Sequence, residues 1–273
     1  MRAFATRLVR IAPALLLVLA GRAEAQRVDR DAAEWLDDCR RGRWGGDDER
    51  ACDVREVTFP ARGRLTVDGG QNGGITVLGW DRDEIRVVSR LQASARRGSD
   101  ASALLDEIRI VTGSEVRATG PRTRDGETWG VSFTVYVPRR TDLSLDTHNG
   151  GIRISDVDGA MRFRAVNGGV SLADVGGDVR GETQNGGLQV ALAGSRWRGT
   201  GLDVRTQNGG VQLSLPERYD ADLETGTVNG RFDIDIPITV RGRIDRTIRT
   251  QLGAGGPLVR VMTQNGGVSV RRR

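Results

Sequence analysis

The sequence has few of the side chains on which most enzymes depend. It contains one histidine, His148, and two cysteines, Cys39 and Cys52. Nucleophilic triads and dyads and metal sites need more of these groups than the chain offers. The G-x-S-x-G, H-E-x-x-H and G-x-x-x-x-G-K motifs are also missing. We therefore expect no catalytic residue, no cofactor and no bound metal.

No hydrophobic run is long enough to cross a membrane, which takes about 20 residues. The apolar stretch Ile11–Ala20 follows three arginines and precedes the small-residue site Ala23-Glu24-Ala25. This order is typical of a signal peptide, here over residues 1–25. We expect an exported protein without a transmembrane anchor, located in the periplasm, at the cell surface or outside the cell.

Lysine is absent, so arginine supplies all 41 basic side chains. Four arginines and one acid lie in the leader, and its removal lowers the formal net charge from +5 to +2. A nucleic-acid-binding surface combines a one-sided basic stripe with stacking aromatics. Here charges of both signs are interspersed and aromatic residues amount to 4%, so we exclude nucleic acid as a partner.

The two cysteines, Cys39 and Cys52, close a short loop rich in arginine, glycine and aspartate. In an exported protein a single pair at this spacing indicates a disulfide bond. We expect the bond to staple a lead-in segment at residues 26–53, with a short helix over Val28–Leu36.

The most regular feature of the sequence is Asn-Gly followed closely by a hydrophobic residue, which occurs seven times. From the second copy onwards the copies lie 18, 18, 23, 21 and 36 residues apart, a spacing typical of repeat architectures. Asn and Gly tolerate positive φ, so each copy predicts a sharp corner. The corner asparagines are Asn72, Asn149, Asn167, Asn185, Asn208, Asn229 and Asn265.

Two architectures fit this pattern. In a hairpin meander each Asn-Gly is a type I′ turn between antiparallel neighbours. In a β-solenoid each repeat is one coil, and stacked coils bury the apolar face that a single coil cannot. The even spacing and the small inward residues favour the solenoid. Its corner asparagines would form a ladder of side-chain amides, whereas exposed turn asparagines without a ladder are the alternative.

The sequence thus predicts an all-β fold in three parts after the leader. The lead-in at 26–53 precedes a β-rich part at 54–140 with one inserted helix, which Ser99 or Asp100 can cap. Residues 141–273 form the repeat domain, whose last long step predicts a degenerate unit plus an excursion. The helix has an apolar face made of Ala101, Leu104, Leu105 and Ile108.

The leader, the repeated Thr-x-Asn-Gly-Gly-aliphatic-x-aliphatic unit and the strand Val131–Val137 before Pro138 resemble the DUF4097 family of proposed bacterial adhesins. The resemblance covers about Val54–Val270. It implies a β-strand repeat domain at the cell envelope, whose partner would be a surface glycan or an envelope protein. It carries over no catalytic residue, and the cysteine pair lies outside it.

Acidic side chains are one remaining group of candidates. They lie near turns or point out of a strand, where we expect them to begin turns and keep the protein soluble. In a polysaccharide-active β-helix enzyme they would instead converge on one groove. These residues are Asp156, Asp158, Asp174, Asp178, Asp233 and Asp235.

Tryptophan beside arginine is the other candidate, because an exposed pair can stack on a sugar or anchor a protein. Of Trp80, Trp129 and Trp197, we select Trp197 with Arg198 as a candidate ligand patch; packing at an end of the repeat is the alternative. We predict an exported, non-catalytic protein that binds a surface partner. A structural or regulatory envelope scaffold is the alternative, ahead of an enzyme. The oligomeric state is left open.

Overall fold

The structure is a computed structural model that describes residues 31–41, 49–236 and 246–273. These residues belong to two compact units divided after Gly42. In the first unit, residues 31–41 form helix α1, which overlaps the helix predicted over Val28–Leu36 but ends later. The leader lies outside the described residues. Both cysteines are disulfide-bonded, which confirms the predicted bond.

The described part of the second unit consists of strands and one helix, α2 (Gly98–Glu107). The strands are β1 (Glu49–Pro60), β2 (Arg64–Asp68), β3 (Ile75–Trp80), β4 (Glu84–Ala95), β5 (Arg109–Val111), β6 (Glu115–Thr119), β7 (Thr128–Pro138), β8 (Asp142–Thr147), β9 (Ile152–Ser155), β10 (Asp158–Asn167), β11 (Val170–Ala173), β12 (Gly176–Asn185), β13 (Leu188–Ala191), β14 (Gly201–Asn208), β15 (Val211–Leu215), β16 (Ala221–Asn229), β17 (Phe232–Asp235), β18 (Thr247–Leu252), β19 (Leu258–Asn265) and β20 (Val268–Arg272).

The described strands pair into two sheets of ten strands each. The first sheet has the order β1-β4-β7-β3-β9-β11-β13-β15-β20-β17, and the second β18-β16-β19-β14-β12-β10-β8-β2-β6-β5. From β8 to β17 the chain alternates between the sheets, and equivalent strands of neighbouring repeats pair in parallel. The two strands beside each Asn-Gly corner lie in different sheets. The hairpin meander is therefore wrong for these corners.

The last repeat in the chain does not lie at the end of the stack. Strand β19 pairs in parallel with both β14 and β16, and β20 pairs with both β15 and β17. The final repeat is thus inserted between two repeats that precede it in sequence. The step before it contains β18, which runs antiparallel to β16, where a degenerate unit was predicted; residues 237–245 of this step lie outside the described part.

The core is formed by the inward faces of both sheets, whose buried residues make one continuous cluster. Side chains alternate along each strand between this cluster and the outer face, as the period of a strand requires. Because the repeat strands pair in parallel and in register, residues at equivalent positions of neighbouring repeats lie side by side. In the first sheet one such buried row consists of Ile152, Val170, Leu188, Val211 and Val268.

The part that precedes the repeats joins the same two sheets. Strand β4 pairs antiparallel with β1 and β7, and β3 connects β7 to the repeat strands. Helix α2 contacts β1 and β4. Its N-cap position is Arg97, which makes no side-chain capping hydrogen bond, so the helix begins earlier than the predicted caps Ser99 and Asp100 imply. The predicted apolar face, Ala101, Leu104, Leu105 and Ile108, is buried.

The core between β10 and β12 has room for the phenyl ring of Phe163 because its neighbour, Gly181, has no side chain. Phe163 of β10 is in register with Gly181 of β12, and a Cβ on Gly181 would overlap the phenyl ring. We expect Gly181→Ala to destabilise the protein by about 1–3 kcal/mol, the usual cost of overpacking a core. Urea unfolding measures this loss.

The double variant Phe163→Leu/Gly181→Ala provides the control. A smaller side chain at residue 163 relieves the overlap, so we expect a smaller loss than the sum of the two single losses. Strictly additive losses would contradict a steric origin at this contact.

Candidate binding groove at the asparagine corner

The corner asparagines form one uninterrupted ladder of side-chain amides. Six of the seven Nδ2 groups, all but that of Asn72, donate a hydrogen bond to the Oδ1 of a neighbouring asparagine at 2.8–3.0 Å. The order follows the sheets and not the sequence, since Asn265 lies between Asn208 and Asn229. The full order is Asn72, Asn149, Asn167, Asn185, Asn208, Asn265 and Asn229.

The glycine after each asparagine is required by the stacking of the corners. A Cβ on Gly168 would overlap the carbonyl oxygen of Gly150, and a Cβ on Gly186 would overlap that of Gly168. None of the seven asparagines has positive φ; in the described chain only Asp156 and Asp174 do among non-glycine residues. The chain does turn from one sheet to the other at each copy, as predicted, but the tolerance of asparagine for positive φ is not used there. Close approach of neighbouring backbones, and not chain reversal, selects the glycine.

A buried threonine supports most of these corners from below. The hydroxyl of Thr183 donates a hydrogen bond to the carbonyl oxygen of Gly168 at 2.6 Å, and that of Thr206 to Gly186 at 2.7 Å. Thr147, Thr227 and Thr263 make equivalent bonds. These bonds satisfy corner carbonyls beneath the surface, where an unpaired acceptor is costly.

One end of the ladder adjoins Trp129 on β7. The Asn72 side chain donates a hydrogen bond to the Trp129 carbonyl oxygen at 3.3 Å. The indole is half-buried, and its Nε1 donates to the carbonyl oxygen of Pro121 at 3.0 Å. A Cβ on Gly120 would lie 2.7 Å from the ring, so the indole rests directly on that glycine. Its orientation is therefore fixed before any ligand arrives.

Two adjoining grooves share Trp129, Thr128, Asn72 and Asn149. The larger has a volume of about 710 Å³ and the smaller about 380 Å³. The larger groove is lined in addition by Arg50, Gly73, Gly74, Gln92, Ala93, Ser94 and Ser132. Amides, hydroxyls and a guanidinium thus surround one rigid aromatic ring. This combination offers hydrogen bonds to the edge and apolar contact to the face of a ring-shaped polar ligand.

The outer face of the second sheet carries a second cluster of functional groups. Arg205 donates two hydrogen bonds to Glu182, at 3.0 and 2.8 Å. A groove of about 500 Å³ runs over this face. It is lined by Ser144, Leu145, Asp146, Arg162, Phe163, Arg164, Arg180, Gly181, Glu182, Asp203 and Arg205. The register of β8, β10, β12 and β14 brings these side chains together, and the sequence alone does not reveal this grouping.

Two carboxyls on this face have altered proton affinity in opposite directions. Burial and the neighbouring Asp68 raise the pKa of Asp146. Burial also disfavours the charged form of Glu224, but hydrogen bonds from Arg260 at 3.0 Å and Arg249 at 3.2 Å outweigh it and lower the pKa. Glu224 is therefore a structural carboxylate.

The structure contradicts the predicted ligand patch at Trp197 and Arg198. The Trp197 side chain is 2% exposed and belongs to the core, and its Nε1 donates to the Gly177 carbonyl oxygen at 3.1 Å. The ring is buried because the segment between β13 and β14 packs it inward. Arg198 is exposed but forms ion pairs with Asp158 and Asp174, at 3.1 and 2.9 Å.

In two repeats, Asp156 and Asp174 lie at a second corner opposite the asparagines, and Asp158 and Asp178 lie near the start of the strands that follow. Asp156 and Asp174 adopt φ of 61° and 48° there, where the short Asp side chain is among the few that tolerate such values. Arg139 bridges Asp81 and Asp156 at 2.8 and 3.3 Å. These ion pairs brace the second corner. His148 is exposed and lies at the asparagine corner, directly before Asn149.

Among the described residues, no group of three or more His, Cys, Asp or Glu side chains is arranged to hold a metal ion. In the same part of the chain, no helix has the length and apolar character needed to span a membrane.

Comparison with known proteins gives structural likeness but no family. No family model matches the sequence, and no curated protein matches it. A proposed cell adhesion protein from Clostridium sporogenes ATCC 15579 aligns with 81% of this chain and all of its own, at 8% identity and a TM-score of 0.38. At these values the likeness carries no argument about function.

Two further solved structures cover the same share of this chain at lower TM-scores. A proposed adhesin from Bacteroides fragilis NCTC 9343 covers 81% of this chain and 97% of its own, at 13% identity and a TM-score of 0.28. A proposed lipid binding protein from Parabacteroides distasonis ATCC 8503 covers 81% and 96%, at 11% identity and a TM-score of 0.27.

The two glycines of one corner should respond differently to the same substitution. We expect Gly186→Ala to lose about 1–3 kcal/mol of unfolding free energy, because the new methyl group overlaps the Gly168 carbonyl oxygen. At Gly187 a Cβ would lie 3.6 Å from the Gly210 oxygen, an ordinary contact. We expect Gly187→Ala to be neutral or to stabilise by up to about 1 kcal/mol. Equal losses in urea unfolding would refute the stacking explanation.

We expect the Glu224 carboxylate to make a pH-dependent contribution to the free energy of unfolding. Because its folded pKa lies below its ordinary value of 4.5, the stabilisation is present above that value and lost as the pH falls through the folded pKa. We expect Glu224→Gln to lose about 1–2 kcal/mol at neutral pH, with the loss shrinking in acid. The exposed pair partner Glu182 is the matched control, and Glu182→Gln should change stability by less than about 1 kcal/mol. A pH-independent loss at residue 224 would disprove the charge effect.

Proposed function

We propose that this chain is an exported, non-catalytic β-solenoid protein of the cell envelope that binds a surface glycan, as an adhesin does. The solenoid interpretation is supported by parallel strands that alternate between two sheets and by corners that stack in register. The leader and the disulfide support export, since disulfides persist in oxidising compartments. DUF4097 membership remains part of this proposal.

The larger groove beside Trp129 is the proposed glycan site. The observation that carries it is a half-buried indole, fixed by Pro121 and Gly120, that opens onto two grooves with amide and hydroxyl side chains in their lining. A fixed aromatic ring needs no ordering on binding, which lowers the entropic cost of association. The side-chain amides and hydroxyls around it match the alternating donors and acceptors of sugar hydroxyls. We favour a glycan over a protein partner for this reason.

The non-catalytic part of the proposal is supported by how the charged groups are used. On the second sheet, Glu182 accepts hydrogen bonds from Arg205, and Glu224 from Arg249 and Arg260. A carboxylate whose pKa is lowered, as at Glu224, is a poor proton donor at neutral pH.

Binding to isolated envelope material tests the site. The probes are purified bacterial peptidoglycan and purified surface polysaccharide, incubated with the protein and then sedimented. We expect saturable retention that Trp129→Ala reduces by roughly tenfold or more, because truncating an aromatic anchor typically costs about 2 kcal/mol. Since Trp129 also packs against the core, Gln92→Ala and Thr128→Ala test the same groove with exposed residues.

Gln212→Ala is the matched control, because Gln212 is exposed on the outer face of β15 in the same sheet. It should bind as the unmodified protein does. Equal binding by all variants would place the site elsewhere. No retention on either probe would instead favour the scaffold, and released sugar fragments would favour the enzyme.

A further inference from the structure

The Asn-Gly sequence that builds the corners is also a chemical liability. The backbone nitrogen of the residue after an asparagine can attack the side-chain Cγ to form a five-membered imide, and glycine hinders this attack least. The attack needs a free backbone N–H and a carboxamide that can swing towards it. A protein with seven Asn-Gly copies would therefore react at many sites unless its structure slows this attack.

Four corners of the ladder supply that protection through the backbone. The N–H of Gly168 donates to the carbonyl oxygen of Asn185 at 3.0 Å, and the N–H of Gly186 to that of Asn208 at 3.0 Å. Gly209 and Gly266 make the same bond to the next corner, at 2.9 and 3.0 Å. The attacking nitrogen is thus already engaged at these four sites.

The side chains are restrained as well. The carboxamide of Asn185 donates to Asn167 and accepts from Asn208, at 2.8 and 2.9 Å. Even Asn72, at the β3 end, accepts from Asn149 and donates to the Trp129 carbonyl oxygen. Two hydrogen bonds hold each of these carboxamides away from the backbone nitrogen that follows it.

Asn229 lacks this double restraint. It is the last rung in the described ladder, and its Nδ2 donates to Asn265 at 2.8 Å. Within the described residues its Oδ1 accepts no hydrogen bond and the Gly230 N–H donates none. Both residues are exposed, but so is Asn185. Hydrogen bonding, and not exposure, distinguishes the two sites.

We propose that Asn229 is the site at which this protein undergoes spontaneous deamidation, while the ladder protects the inner corners. The Gly230 nitrogen bonds to Asn229 Cγ as the carboxamide C–N bond breaks. Ammonia leaves with the proton of the glycine N–H. Water then opens either C–N bond of the imide, giving aspartate or isoaspartate at residue 229.

The product changes the end of the stack. A carboxylate can no longer donate to the Oδ1 of Asn265, and it places negative charge next to that oxygen. The isoaspartyl product also adds a methylene to the backbone at a corner whose glycine, Gly230, stacks directly on the Gly266 carbonyl. Deamidation should therefore loosen β16 and β17 first.

Peptide mapping by mass spectrometry of the folded protein, aged in mildly alkaline buffer, tests the assignment. We expect Asn229 to convert roughly thirtyfold faster than Asn185, the ratio expected when two hydrogen bonds of ordinary strength must first break. The protein unfolded in urea is the control, and there both sites should react at similar rates. Equal rates at both sites in the folded protein would overturn the proposal, as would conversion that begins at Asn185.

The variant Asn208→Ser tests the protective role of the ladder directly. It removes the hydrogen bond to Asn185 Oδ1 but leaves the backbone bond of Gly186 in place. We expect deamidation at Asn185 to accelerate roughly fivefold, the effect of one hydrogen bond, while Asn167 keeps its rate. An unchanged rate at Asn185, in a variant whose circular dichroism shows the native fold, would refute protection by the side-chain ladder.

Discussion

The close approach of successive backbones at the asparagine corner is the constraint on which the structure depends. Only glycine fits after each asparagine, because a Cβ would overlap the carbonyl oxygen of the neighbouring corner or, at Gly73, that of Val131. Once the corners stack, the amides pair at 2.8–3.0 Å, the threonine hydroxyls meet the corner carbonyls, and the strands align in register. That register places aliphatic residues on one another in the core.

The same stacking produces the surfaces that can bind. Parallel strands in register present like positions in rows, so outward arginines and acids meet on the second sheet as ion pairs. On the first sheet the repeat strands are followed by β3, by β7, which runs parallel to β3, and by β4, which runs antiparallel to β7. The asparagine ladder ends there, and Trp129 on β7 lies beside its last member, Asn72. The proposed glycan site thus lies where the repeat stops.

Much of the fold follows from local sequence. The spacing of the asparagines predicted the repeat, the apolar face of α2 was found from its periodicity, and the cysteines predicted the disulfide. The features that the sequence did not reveal, or for which it misled, have a common cause. Ladder order, the inserted last repeat and the burial of Trp197 all depend on which strands become neighbours, and this information is absent from any local window. Trp129 was among the tryptophans considered, yet nothing in its flanking residues marks it as the one that borders a groove.

By itself the sequence determined that the chain folds as β-strands with repeated corners, because Asn-Gly and alternating hydrophobicity are local properties with a local physical meaning. Only the tertiary structure decided what those corners do. Stacking converts seven separate turns into one hydrogen-bonded ladder, buries one tryptophan and leaves another beside a groove. These outcomes arise from contacts between residues far apart in sequence, whose geometry is set by the pairing of strands within the two sheets.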